Sequence, residues 1–379
     1  MSKHFELEKG KGNARIDWLD FIRVFACFSV VFYHVINGYM KDAETYTQMN
    51  WTGWADTLWN ILKLYHVPTF FAISGYLYQK FTAEKFSKGN IKAWTKNYVS
   101  FQLKKICNLL IPYLIFSVLY IALSSFLEGD MHTSYGFKKI FTLYKSPVAQ
   151  YWYLYTLYII FFLAPVITRI IRGNGFAYIF VGLIFFYSSL LVDVSFLGIQ
   201  SSFIFFALGY FMSWNNNILK LAEKLDAILI TLLMAAVIVI YIIFQRVIAN
   251  DLSGTIKLIF SVLIISIIFL LSIKLSKKGV PKCVSGCAGI TLHIYLIHTW
   301  ITGPIRVILR HIGVWGLIPH IIIGFFVGSA INILVCMIVK KVWFFNIFFE
   351  PVSTFYNKKT NLKIKKGQSK FNGFIRCLK

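Results

Sequence analysis

The first apolar segment of the chain contains three ionisable side chains whose spacing could support chemistry. Asp20 and Arg23 are three residues apart, close enough to pair on one face of a helix. Arg23 and His34 are eleven residues apart, so they project from one face at roughly 16 Å along a helix axis. Ionisable groups inside a membrane are functional candidates, and a histidine can remove a hydroxyl proton near neutral pH. The alternative is a buried ion pair that fixes packing, with a histidine near the outer headgroups.

Later apolar segments contribute further histidines. His66 lies near the middle of the second apolar segment and fits either a packed, hydrogen-bonded histidine or a site residue. The ninth segment contains Tyr295 and His298, which share a helical face, whereas His293 points elsewhere. We therefore predict that Tyr295 and His298 belong to the site.

Small and aromatic residues form a second group of candidates. Ser74 and Gly75 permit the close approach of a neighbouring helix, and Tyr76 follows them. Trp152 and Tyr153 belong to an aromatic run that fits an interfacial belt, although the same rings could stack on a sugar. Ser74, Tyr76, Trp152 and Tyr153 are kept as candidate substrate-binding residues.

The composition requires a membrane for these residues to lie in. The chain has 379 residues, 58% of them apolar and 14% charged, with a mean hydropathy of +0.66. A soluble domain averages about half apolar and a quarter charged residues, and an aromatic content of 18% excludes disorder. The sequence predicts an all-α, polytopic membrane protein.

A bilayer core of about 30 Å needs roughly 20 apolar residues per helix. By that criterion the chain has ten predicted spans within a single membrane domain at 18–339, preceded by a short segment at 1–17 and followed by a basic tail at 340–379. The spans are 18–39, 54–78, 106–127, 151–168, 176–192, 199–214, 226–244, 256–273, 286–303 and 317–339. The ninth is interrupted by Gly303 and Pro304.

The net charge of +24 could indicate nucleic acid as a partner, but the charges are spread between apolar segments. Most of the 39 lysine and arginine residues lie at the termini and in the loops on the side of the termini. That asymmetry predicts cytoplasmic termini and no nucleic-acid partner. Arg23 and Lys63 lie inside spans. Cys283 and Cys287 have no nearby second pair to complete a zinc site, so no metal is predicted.

Taken together, these segments resemble the acyltransferase-3 family of integral-membrane acyltransferases, and are similar to its enterobacterial common antigen O-acetyltransferase type. The family's Leu-Asp-x-x-Arg followed by His is matched by 19–23 and His34, and its Val-Pro-x-Phe-Phe-x-x-Ser-Gly-Tyr stretch by 67–76. A Trp-Tyr-Leu segment ending in Pro is matched by 152–165, and a late Ile-Tyr-x-x-His by 294–298. His293 departs from the family, which commonly has glycine there.

The resemblance implies a bacterial inner-membrane enzyme that moves an acetyl or other acyl group from cytoplasmic acetyl-CoA to a hydroxyl of a surface polysaccharide or lipid-linked glycan. Arg23, oriented by Asp20, would meet the acyl-CoA near the inner face. His34 would act as general base on the sugar hydroxyl, or relay the acetyl group, and His298 joins the catalytic set. A flippase or exporter of a lipid-linked glycan is the alternative from another class, and a non-catalytic scaffold explains the motifs less well.

Overall fold

The computed structural model of the chain describes residues 16–47, 53–126, 135–191, 198–215, 217–247 and 253–351. Within these ranges 88% of the residues are helical and no strand is present. A helix satisfies all of its backbone hydrogen bonds within its own segment, so an all-helical chain can cross lipid. The predicted all-α class is confirmed.

The helices of the described ranges follow the predicted apolar segments. They are α1 (Asp17–Thr47), α2 (Trp54–Tyr78), α3 (Glu84–Ser87), α4 (Ile91–Lys105), α5 (Ile111–Phe126), α6 (Trp152–Ile170), α7 (Gly175–Leu191), α8 (Ile199–Trp214), α9 (Asn217–Lys224), α10 (Ala227–Val247), α11 (Gly254–Ser276), α12 (Lys282–Ala288), α13 (Thr291–His311), α14 (Leu317–Ile321), α15 (Gly328–Lys341) and α16 (Trp343–Phe349). Short π-helical turns continue α2 into α3, α4 into α5 and α14 into α15.

Each of the ten predicted spans overlaps one or more of these helices, and the ends of the third and fifth spans, residues 127 and 192, lie outside the described residues. Seven helical stretches of the described residues are long and apolar enough to cross a membrane, and 175–189 and 199–214 are shorter apolar helices. The chain is therefore a polytopic membrane protein. The number of crossings and the cytoplasmic position of the termini stay predictions.

Some boundaries differ from the prediction. The ninth span does not stop at Gly303: α13 begins at Thr291 and continues through Pro304 to His311. Proline removes one amide donor, and a membrane helix tolerates this where neighbours satisfy the released carbonyl. The lysine-rich segment after α2 is also helical, because 91–126 forms one continuous stretch of which the third predicted span is the later part.

The first part of the predicted tail is folded as well. The ring of His293 stacks on Phe349 of α16 at 4.6 Å, and its Nε2 lies 2.7 Å from Oδ1 of Asn346. His293 thus attaches α16 to α13, which explains a histidine where the family commonly has glycine. Residues 1–15 and 352–379 lie outside the described residues.

Two glycines bring α2 and α8 into backbone contact. A Cβ atom on Gly75 would overlap the carbonyl oxygen of Phe206, and one on Gly209 would overlap the carbonyl oxygen of Ala72. The close helix approach predicted from Ser74 and Gly75 is therefore present. It sets the spacing between two helices that line the cavity described below.

An ionic cluster joins the far end of α1 to the end of α13. The buried carboxylate of Asp42 lies 3.4 Å from Nε of Arg306 and 3.8 Å from Nη1 of Arg310. Tyr39 adds a hydrogen bond from its hydroxyl to the carbonyl oxygen of Trp315 at 2.9 Å. The cluster keeps the C-terminal ends of α1 and α13 side by side, so their histidines can face each other.

Candidate functional site

Two histidines and a tyrosine of α1 and α2 line a cavity of about 350 Å³ between α1, α2, α6, α8 and α13. Tyr33 and His34 are contributed by α1 and His66 by α2. The ring of Tyr33 stacks on that of His66 at 4.4 Å and meets that of His34 edge-on at 5.2 Å. The structure therefore brings two of the predicted site histidines to one cavity.

His298 lies directly behind His34 and is fully buried. The ring centroids of the two histidines are 4.9 Å apart, with 53° between the ring planes. Nδ1 of His298 lies 2.8 Å from the carbonyl oxygen of Tyr295. A carbonyl oxygen only accepts, so Nδ1 carries the hydrogen and Nε2 keeps its lone pair. Nε2 is buried and has no hydrogen-bond partner among the described residues, which leaves an unused acceptor on the residue that packs against His34.

His66 is held in the same way. Its Nδ1 lies 2.6 Å from the carbonyl oxygen of Leu62, one turn earlier on α2, so Nδ1 donates and Nε2 is left as an acceptor. The side chain is buried against Tyr33. His66 is thus a packed, hydrogen-bonded histidine that also lines the cavity, and its role as a site residue stays a prediction.

Aromatic and hydroxyl side chains complete the wall. Trp152 of α6 and Phe205 of α8 line the cavity, together with Ser201 and Ser202. Flat aromatic faces beside a few hydrogen-bonding groups are typical of a small-molecule site.

The turn that precedes α6 supplies a further part of the wall. Ala149 and Gln150 line the cavity, and Ala149 has a φ of 45°, a left-handed conformation that is costly for a residue with a Cβ. The backbone oxygen of Gln150 accepts a hydrogen bond from the Tyr295 hydroxyl. The side-chain amide of Gln150 donates a hydrogen bond to Thr299 Oγ1 at 2.7 Å. The strained turn is thus attached to α13, next to His298.

Arg23 and His34 lie on one uninterrupted helix, so their predicted common face is kept. The half-buried Arg23 interacts electrostatically with Tyr153 of α6. The ring of Tyr153 lies 5.3 Å from that of Tyr295, which lies 6.0 Å from that of His298. Tyr153 and Tyr295 therefore form a row of aromatic rings that leads from the side of Arg23 to His298.

Asp20, Ser74 and Tyr76 lie away from the cavity. Asp20 is buried on the turn of α1 before Arg23, and the Ser74 hydroxyl interacts with that of Tyr153. The ring of Tyr76 packs edge-on against Trp18 at 4.9 Å, and the Lys80 ammonium lies 5.7 Å from its centre. Half-burial lowers the pKa of Lys80. These residues belong to the Arg23 end rather than to the cavity.

Several cavity residues were not among the sequence candidates. Asn37 follows His34 by one helical turn and could have been found by that spacing. Tyr33, Phe205, Ser201 and Ser202 carry no sequence signal, since aromatic and hydroxyl side chains are common in apolar helices. No group of three potential metal ligands occurs among the described residues.

A comparison with protein-family models assigns the chain to a family. The family model described as an acyltransferase domain matches residues 16–340, which includes the histidine pair, Arg23 and the cavity. The chain belongs to the acyltransferase-3 family. No curated protein and no solved structure matches it significantly. In this membrane acyltransferase, the matched domain therefore contains His34, His298 and Arg23.

Proposed function

We propose that this membrane acyltransferase transfers an acetyl group from cytoplasmic acetyl-CoA to a hydroxyl of a surface polysaccharide or lipid-linked glycan, in the inner membrane of a bacterium. The observation that carries the proposal is the contact between His34, which lines the cavity, and the buried His298 behind it. A sugar hydroxyl in the cavity would lie beside His34. A purely structural pair of histidines would not need a cavity at that point.

In the proposed reaction His34 is the general base. The sugar hydroxyl attacks the thioester carbonyl carbon while His34 accepts the hydroxyl proton. The tetrahedral intermediate collapses, the carbon–sulfur bond breaks, and the leaving thiolate takes the proton from the imidazolium. The products are the acetyl ester and coenzyme A. His298 is a positioning residue, whose Nε2 lone pair accepts a hydrogen bond from His34 after a small ring rotation and so directs the other nitrogen of His34 to the acceptor.

The donor end is assigned to Arg23. Its guanidinium stays charged and offers a planar set of donors, which suits the phosphates or the polarised thioester of acetyl-CoA. Asp20, one turn away, orients it. The acetyl-bearing arm would follow the face of α1 from Arg23 to His34, past Tyr153 and Tyr295. No metal is required for this chemistry.

The proposed orientation places Arg23 towards the cytoplasm and the cavity in the outer half of the membrane. Single cysteines introduced at Lys92 and Lys138, in a chain whose native cysteines are replaced, test it by labelling with a membrane-impermeant maleimide. Both lysines are exposed. We expect labelling of intact cells at position 138 and not at 92, and labelling of both from outside would contradict the orientation.

The function itself is tested by mass spectrometry of surface glycans from cells with and without the gene. We expect a mass difference of one acetyl group per repeat or per acceptor sugar. A flippase or exporter, the alternative function, would change the amount of exported glycan and leave its acetyl content unchanged. That second result would contradict the proposal.

A further inference from the structure

Asn37 presents an amide to the cavity one helical turn beyond His34. The two residues are three positions apart on α1, so they share a helical face and are separated by about 4.5 Å along the axis. Both line the cavity. Their side chains therefore face neighbouring points of a molecule that occupies the cavity.

The amide of Asn37 is not used to hold helices together. Within the ranges that the structure describes, its side chain forms no hydrogen bond to protein. The amide of Gln150, which also lines the cavity, is bound to Thr299, and Nδ2 of Asn332 donates to the carbonyl oxygen of Gly328 at 2.9 Å. A polar side chain in a membrane helix is costly unless it is hydrogen-bonded, and a ligand in the cavity would supply the bonds that Asn37 lacks.

We propose that Asn37 is an acceptor-binding residue, which hydrogen-bonds the hydroxyl group adjacent to the one that is acylated. The inference rests on the proposed function, because it takes the hydroxyl beside His34 as the nucleophile. Adjacent hydroxyl groups of a sugar ring are closer together than one helical turn is long, so one can reach His34 while the other reaches Asn37.

The amide suits this task because it can donate to a hydroxyl oxygen and also accept a hydroxyl hydrogen. It carries no charge and takes no part in the proton transfer. The acceptor is accordingly a sugar with two adjacent hydroxyl groups, and Asn37 is the specificity-determining residue that fixes which of the two reacts.

The position of the acetyl ester tests this assignment separately from the amount of acetylation. Cells that produce the wild type, Asn37→Leu or Asn37→Ala are compared, and the esters on their own surface glycan are located by two-dimensional NMR at mildly acidic pH, where esters do not migrate. Leucine resembles asparagine in shape without its hydrogen-bonding atoms, and alanine serves if leucine disturbs packing. Asn60→Leu is the matched control, because Asn60 is also a partly buried helix amide, bonded to Asp56 at 3.1 Å, and does not line the cavity.

In the wild type we expect one predominant ester, with a free hydroxyl on the adjacent ring carbon. Loss of one neutral hydrogen bond should lower the ratio of the predominant to the adjacent ester roughly three- to tenfold in the Asn37 variants. Asn60→Leu should leave this ratio unchanged.

The assignment is wrong if the predominant wild-type ester has no adjacent hydroxyl, if an inserted Asn37 variant keeps the wild-type ratio, or if Asn60→Leu lowers the ratio as much. Failure of both Asn37 variants to insert would show a structural role and would also overturn it. So would complete loss of the ester at normal enzyme levels, because a binding contact leaves residual turnover. Absence of any gene-dependent ester in the wild type would instead contradict the proposed function.

Discussion

The role assigned to His298 can be separated from that of His34 by two amide substitutions. In His298→Asn the side-chain amide can still donate to the carbonyl oxygen of Tyr295, which now accepts from Nδ1 at 2.8 Å. The shorter asparagine side chain has no atom at the position of Nε2. In His298→Gln an amide oxygen reaches that position and can accept a hydrogen bond. Neither amide can accept a proton at neutral pH, so the pair distinguishes an orienting acceptor from a general base.

The expected magnitudes follow from this geometry. A general base contributes roughly 10²- to 10⁴-fold to a rate, and loss of the group that positions it should remove about 10²-fold, equivalent to about 2.7 kcal/mol of barrier. We therefore expect His298→Asn to lose about 10²-fold and His298→Gln about tenfold. Glutamine is close to histidine in size, so the fully buried site should stay filled.

The assay is acetylated glycan formed per molecule of membrane-inserted enzyme, with the enzyme quantified through a C-terminal fluorescent protein. Normalisation removes the effect of lower protein levels, which a buried substitution can cause by itself. Equal losses in the two variants, or a smaller loss in His298→Asn, would refute the positioning role. A loss of about 10⁴-fold in both would identify His298 itself as the group that accepts the proton.

Two further predictions concern the donor end and the helix contact. Arg23→Lys should have low acetylation activity, because lysine lacks the planar fork of donors, whereas Asp20→Asn should lose less activity. Full activity in both variants, at matched protein levels, would show that this pair has only a packing role. Gly209→Ala should destabilise the protein by about 1–3 kcal/mol or more, since its Cβ would overlap backbone of α2. Gly303→Ala, with nothing within 4 Å, should leave the melting temperature nearly unchanged, and equal melting temperatures for the two variants would contradict the close contact.

Hydropathy predicted the positions of the helices because a lipid environment leaves few other solutions for the backbone. It was less reliable where a helix passes through a residue that usually ends one. Pro304 marked an interruption in the sequence, yet α13 continues past it for two turns. The His293 departure also had a structural reason that only the fold reveals, since Phe349 lies 56 positions later in the chain.

The candidate site could be predicted where a residue is costly in its surroundings. Arg23, His34 and His298 stand out because charged and imidazole groups are rare in apolar helices. The contact between His34 and His298 could not be predicted, since the two residues are far apart in sequence and meet through the packing of α1 on α13. Ser202 and Phe205 were missed for a second reason, because such residues are equally common on lipid-facing and cavity-facing surfaces.

The substitution His34→Ala tests the proposed chemistry most directly. His34 lines the cavity and makes ring contacts with Tyr33 and His298, so its removal should leave insertion near normal while abolishing the proton transfer. The measurement is acetyl content of the glycan per molecule of membrane-inserted enzyme, compared between wild type and variant. We predict a fall to the level of cells without the gene, and turnover equal to the wild type would contradict the assignment of His34 as the general base.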